Sequence, residues 1–205
     1  MKLYHCPDAR SLRPLWTMEE MGLEYELELM EFPPRFTYPG YLDINPMGTV
    51  PTFFDGDLMM TESSGICHYL VDKYGPTDIA VERDDPLYGE YLNWLYRSDA
   101  TFTFPQTVVL RYTVQEPDKG LDQAAEDYAI WYHSRLRGLE AALEDREYLV
   151  GDRFTIADIA VGYALFLGIS LGLDERYKPN CKRYLAQLMD RDGFKSARKR
   201  QEQAS

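Results

Sequence analysis

Positive charge is in short supply in this chain. Its 205 residues hold 22 Lys and Arg against 34 Asp and Glu, a formal net charge of −12. A surface of that sign repels nucleic-acid phosphates and anionic lipid, so neither nucleic acid nor a membrane is an expected partner. Cysteine is sparse as well: Cys6, Cys67 and Cys181 are odd in number and widely scattered, which excludes a disulfide framework. No two are spaced as metal ligands and the three histidines form no cluster, so no metal site is expected. Apolar runs stay short of the roughly 18 residues of a membrane helix, and the opening "MKLYH" reads as a strand rather than an apolar leader. A cytoplasmic protein is expected. Internal repeats and low-complexity tracts are missing too. What remains is a soluble composition, 45% hydrophobic and 27% charged, on a chain long enough to bury a real core in one domain or two small ones. In so acidic a protein an anionic ligand needs a locally basic pocket, which draws attention to Arg10, Arg13 and Arg35.

The first 75 residues alternate short apolar runs with helical ones. "KLYH" has strand character, and Ser11 to Met21 predicts a helix with Leu12, Leu15 and Trp16 at helical spacing. Gly22 stands where a C-terminal cap belongs. "YELELMEF" alternates as a strand, "TVPTFFDGDLMMTES" reads as a hairpin turning at "DGD", and a helix is predicted from about Ser64 to Tyr74. The order is βαβ, then ββα, which is thioredoxin-like. Beyond Pro86 strand signals nearly vanish. Leu87, Tyr91 and Leu95 mark a long helix bent near Pro105, and Ala125, Leu136, Leu139 and Leu143 mark a second. "FTIADIAVGYALFLGISLGL" predicts a core helix whose start, Thr155 to Asp158, has the Thr-x-x-acid form of an N-terminal cap. A further helix is predicted from about Asn180 to Arg191, and the polar tail from Lys195 to Ser205 is expected to fray. The expected fold is an α+β N-terminal thioredoxin-like domain over 1–75, a linker over 76–85 and an all-α helical domain over 86–205. Ligand sites favour the cleft between such domains.

Two stretches of the first domain carry binding chemistry. In "MGTVPTFFDGD", Val50-Pro51 opens a strand inside the sheet, where proline marks an edge, a bulge or a cis peptide. A cis bond turns the Val50 N–H and C=O toward a peptide-like ligand; a trans bond merely begins a strand. In "TESSG", Ser63 or Ser64 stands at a helix start whose free N–H groups suit a carboxylate, and Glu62 beside it suits an ammonium. Together they match the two charges of an amino-acid zwitterion, with plain capping as the simpler alternative.

These stretches sit in "YLDINPMGTVPTFFDGD…TESSGICHYL", which with "SLRPLWTMEEMGLEYEL" and "YLVGDRFTIADIAVGYAL" resembles the glutathione S-transferase superfamily across essentially the whole chain. The resemblance implies glutathione as co-substrate, a small electrophile as second substrate, a cis-proline at Pro51 and a homodimer. It further implies that Val50 pairs with the cysteinyl unit of glutathione, and that Glu62 and Ser63 hold the γ-glutamyl end. Many relatives carry lysine where this chain has Thr49, so a basic contact to a glutathione carboxylate falls elsewhere, with Arg35 the candidate. Bacterial beta-type members carry a cysteine immediately before a serine that aligns with Ser11; here that place is Arg10.

Such an enzyme must supply thiolate, and a thiol near pKa 8.5 is only a few per cent ionised at neutral pH. Lowering it by ~2 units takes roughly 2.7 kcal/mol, within reach of one or two hydrogen bonds to a charged acceptor. Ser11, at the start of the first helix, is the expected principal donor and also its N-cap; Arg10 is the neighbouring cation. Cys6 is the alternative, because "CPDA" resembles the C-P-x-A of omega-type, glutaredoxin-like members whose cysteine forms a mixed disulfide with glutathione. That makes a thiol–disulfide oxidoreductase, although a cysteine closing a strand is also simply a small buried hydrophobe. The expected function is a glutathione transferase activating the thiolate for attack on an apolar electrophile, with a non-catalytic glutathione-binding protein as a further reading. Trp94, Tyr96, Phe102 and Phe104 line the second-substrate pocket or the core.

Overall fold

The computed structural model describes residues 1–202. It falls into two compact units: residues 1–80 together with 189–202, and residues 81–188.

In the first unit, β1 (Lys2–His5) runs parallel to β2 (Glu26–Leu29), with Leu3 opposite Leu27. On its other side β1 pairs antiparallel with β3 (Thr52–Asp55), which pairs antiparallel with β4 (Leu58–Met60). The sheet order is β2-β1-β3-β4. The hairpin turns at Gly56, whose φ of +59° is the left-handed conformation that glycine adopts at little cost. Helix α1 (Leu12–Met21) buries Leu12, Leu15, Trp16 and Met18, and ends where Gly22 takes φ +63° and donates its N–H to Glu19 O and Met18 O. Between β2 and β3 lie two one-turn helices that no apolar period announces, α2 (Pro34–Thr37) and α3 (Tyr41–Ile44). Helix α4 (Ser63–Tyr74) buries Ile66, Cys67, Leu70 and Val71.

The second unit is helical. The expected bend near Pro105 is a change of helix type. Helix α5 (Tyr88–Arg97) passes through a π-helical stretch, Ser98–Thr103, into α6 (Phe104–Leu110). Pro105 falls in the first turn of α6, directly after the widened π-helical turn, and the Thr103 hydroxyl donates to Ser98 O, five residues back, at 2.6 Å. Helices α7 (Asp122–Ala142), α8 (Ile156–Ser170) and α9 (Pro179–Met189) follow. Helix α8 is almost wholly buried and carries the expected capping box.

The end of the chain departs from expectation. Lys195 onward, expected to fray, continues α10 (Asp192–Glu202), which belongs to the first unit and packs on α1: Phe194 meets Trp16 edge to face at 4.9 Å. The Arg191 guanidinium forks onto Glu20 at 2.8 and 2.9 Å. The segment is polar because half of what docks it is polar. Residues 203–205 of the expected tail lie outside the described residues.

Candidate functional site

The loop from β1 to α1 holds the three residues weighed for thiol chemistry. Cys6 is fully buried in a small cluster with Met30, Tyr41 and Val50. Burial pushes its thiol up to about 12, so it is protonated and inert at neutral pH. Of the two readings of Cys6, its burial favours the small hydrophobe over the redox thiol. Ser11 is also fully buried, and the side-chain cap expected of it does not form. Its hydroxyl instead folds back on Cys6, accepting the Cys6 N–H at 3.3 Å and donating to the Cys6 carbonyl at 3.4 Å. Arg10, one residue earlier, is partly exposed.

At the start of α4 the cap position is Glu62, in extended conformation, and Ser63 is the first helical residue. The Glu62 carbonyl accepts the Ile66 N–H at 2.8 Å, while its side chain caps nothing and stays exposed. Ser63 is buried, and its oxygen accepts from Arg13 Nη1 at 3.0 Å. Arg13 is itself fully buried. A buried guanidinium thus backs the start of α4, and an exposed carboxylate stands beside it. Groups of both charges thus stand at one helix start. Sequence reasoning noticed Arg13 only as a cation to watch. The available signal was a charge three residues before Trp16, on the buried face of α1; its partner, fifty residues on, left none.

The third piece is the turn before β3. The Val50-Pro51 peptide is cis, as the resemblance implies. Asn45, fully buried, shapes the turn: its carbonyl accepts the Gly48 N–H at 2.9 Å and its side-chain oxygen the Met47 N–H at 3.0 Å. Its amide also donates to Thr49 O at 2.9 Å and Thr52 Oγ1 at 3.0 Å, while the Tyr41 hydroxyl donates to Thr49 O at 2.6 Å. Asn45 and Tyr41 were missed, although Asn-Pro-x-Gly is itself a turn signal. Gly48 has φ +64°, and a Cβ there would stand 3.1 Å from the Arg35 Cβ. The stem of Arg35 therefore lies over Gly48, next to Thr49. Its guanidinium is exposed and stacks on Phe36 at 4.6 Å.

In the helical unit, Trp94 and Phe102 are core, whereas Tyr96 is 60% and Phe104 49% exposed. Among the described residues no group of His, Cys, Asp or Glu is arranged to hold a metal, and no helix is long and apolar enough to cross a membrane.

Comparisons with known proteins point one way. A family model for the N-terminal domain of glutathione S-transferases matches residues 1–72, and one for the C-terminal domain matches residues 115–192. Glutathione S-transferase GstB of Escherichia coli is 30% identical over 182 residues, 86% of this chain and 86% of that protein. Glutathione S-transferase 3 of Schizosaccharomyces pombe is 26% identical over 95% of this chain and 85% of its own. Among solved structures, a ternary complex of BphK, described as a bacterial glutathione S-transferase, superposes with a TM-score of 0.87 at 24% identity, covering 98% of this chain and all of that one. A sphingomonad glutathione S-transferase complexed with glutathione gives 0.86 at 24%, covering 98% and 99%.

Proposed function

The chain belongs to the glutathione S-transferase family, and from that premise we propose that it binds glutathione on its first unit and activates the thiol for attack on an apolar electrophile. The γ-glutamyl ammonium pairs with Glu62. The neighbouring carboxylate takes the N–H groups at the start of α4, with Ser63 beside it and Arg13 beneath. The cysteinyl unit pairs with the Val50 backbone at Pro51. The glycyl carboxylate reaches Arg35 beside Thr49, in place of the lysine of other members. The sulfur lies at the start of α1. The observation that carries this reading is the juxtaposition of exposed Glu62 and buried Arg13 at one helix start, a match for a zwitterion.

The activating group is Arg10 rather than Ser11. A hydroxyl engaged on both sides by Cys6 has little left to offer a sulfur, whereas a guanidinium beside a thiolate favours the charged form. The thiolate lone pair forms the new carbon–sulfur bond as the leaving group departs with the old bonding pair, giving a thioether. The enzyme works as a cytoplasmic homodimer. An oxidoreductase acting through Cys6 is disfavoured by its buried, protonated thiol.

The test is the ultraviolet thiolate absorbance of bound glutathione against pH. Wild type should show a thiol pKa lowered by about 2 units, Arg10→Met should lose about half of that shift or more, and Ser11→Ala should keep most of it. Glutathione bound with an unshifted thiol in wild type would mean a binding protein and no transferase. A shift lost in Ser11→Ala and kept in Arg10→Met would return the role to Ser11.

A further inference from the structure

Asp8 has φ +58°, the left-handed region that costs a residue with a Cβ. What holds it there comes from the other end of the chain. Gln201 Oε1 accepts the Asp8 N–H at 3.3 Å and the His5 Nε2–H at 3.0 Å. Gln201 Nε2 donates to Asp8 Oδ1 at 2.7 Å, and the Arg198 guanidinium donates to the same oxygen. The network admits one orientation of the amide, since the flipped one would turn its NH2 toward the Asp8 N–H. Gln201 is 5% exposed and its bond to His5 is buried, whereas the Asp8 carboxylate stays partly open to solvent.

These bonds are not all that docks α10. Phe194 on Trp16, Arg191 on Glu20 and Ser196 on Glu19 also hold this end of the chain to α1. Gln201 and Arg198 act on the loop. The Asp8 turn aims the segment that follows, where the Ala9 N–H bonds Cys6 O at 3.1 Å and the Leu12 N–H bonds Ala9 O at 2.9 Å. Arg10 stands between those two bonds. Charge matters as well: the Asp8 carboxylate, two residues from Arg10, would disfavour a nearby thiolate if nothing offset it, and Arg198 offsets it.

We propose that the C-terminal helix is part of the thiol-activating apparatus, with Gln201 and Arg198 as positioning residues that fix and neutralise Asp8 and thereby set the Arg10 loop. This deepens the reading above and rests on it. The test uses the full chain and follows the thiolate absorbance of bound glutathione, glutathione affinity and the pH profile of kcat/KM. Gln201→Met and Arg198→Met keep the side-chain stems and remove the polar ends. Each should raise the bound-thiol pKa by about one unit, a roughly tenfold smaller thiolate-to-thiol ratio at pH 7, and move the acid limb of the kcat/KM profile equally. Glutathione affinity at pH 7 should fall by about threefold, the amount that a bound-thiol pKa raised from about 6.5 to about 7.5 itself requires, and no further. Asp8→Asn should restore the thiolate in Arg198→Met, where the fault is charge, but not in Gln201→Met, where it is geometry. Arg198, with 31% of its side chain exposed, carries the test if Gln201→Met does not fold. An unmoved thiol pKa in the folded variants overturns the proposal, as does a loss of affinity without a pKa change. A wild type with no lowered thiol pKa overturns the transferase reading itself, before any variant is compared.

Discussion

His5 and Asp158 are both fully buried, and each titrates away from its ordinary value in the direction opposite to the other. Burial pushes the imidazole of His5 down to about 4. Between that value and 6.5 the unfolded chain takes a proton that the folded one refuses, so stability falls as pH drops, by about 2 kcal/mol from pH 7 to pH 5. Burial pushes the carboxyl of Asp158 up to about 6, against the hydrogen bonds from Leu149, Thr155 and Tyr184. A raised acid contributes stability at low pH that is lost as pH rises through 6, so over the same interval Asp158 gives back about 1 kcal/mol on acidification. The two residues lie in different units, and hydrogen exchange reads them separately. After correction for intrinsic rates, the slowest amides of β1 and α1 should lose protection between pH 7 and pH 5, while those of α8 gain it. His5→Gln should abolish the loss in β1 and leave α8 unchanged; an equal loss in the variant would mean that His5 is not the source. Neither shift is visible in the sequence, where His5 is one of three histidines. Burial sets them, and burial is a property of the fold.

At the scale of elements, α8 is the clearest case of a helix written locally. Thr155 Oγ1 accepts the Ala157 N–H at 3.2 Å, and Asp158 Oδ2 accepts the Thr155 N–H at 2.8 Å. Asp158 does more than the box requires: its other oxygen takes the Leu149 N–H at 2.9 Å and the Tyr184 hydroxyl at 2.8 Å, both buried. Thr155→Ala should therefore cost about 1–2 kcal/mol, the ordinary loss of a cap. Asp158→Ala should cost about 3–5 kcal/mol, because it strands several buried donors. Urea midpoints at unchanged slope measure both, and a larger effect in Thr155→Ala would refute the account. The cap, α1 with its Gly22 stop and the hairpin at Gly56 were legible because each depends on neighbours in sequence. Helix α10 was not, since Arg191, Ser196 and Arg198 find their partners on α1 and its preceding loop. The π-helical stretch before Pro105 was seen only as a bend, because proline signals a break without specifying how the turn widens.

For the whole molecule, the net charge of −12 bears on the proposed homodimer. Two copies repel, and the repulsion is screened once the Debye length falls to ~8 Å near physiological salt. Association should therefore tighten with ionic strength. Sedimentation at micromolar protein should give a dimer at about 0.5 M salt, where screening is strong, and measurable monomer at about 0.01 M, where it is weak. A monomer at every salt concentration would remove the homodimer from the functional reading.

Length, charge and local pattern determined that this chain is a βαβ-ββα unit joined to a helical one, and singled out Val50-Pro51 and Glu62-Ser63 as the positions proposed to bind. These follow from periodicity, caps and turns, which act over a few residues. The tertiary structure decided which side chains are buried and which charges stand close together. It sealed Cys6 and Ser11 under the β1–α1 loop, drew Arg13 beneath Ser63 and Arg35 over Gly48, and brought Gln201 and Arg198 onto Asp8 from the far end of the chain. Reactivity depends on burial and on charge at a few ångströms, and folding sets both between residues that sequence distance keeps apart.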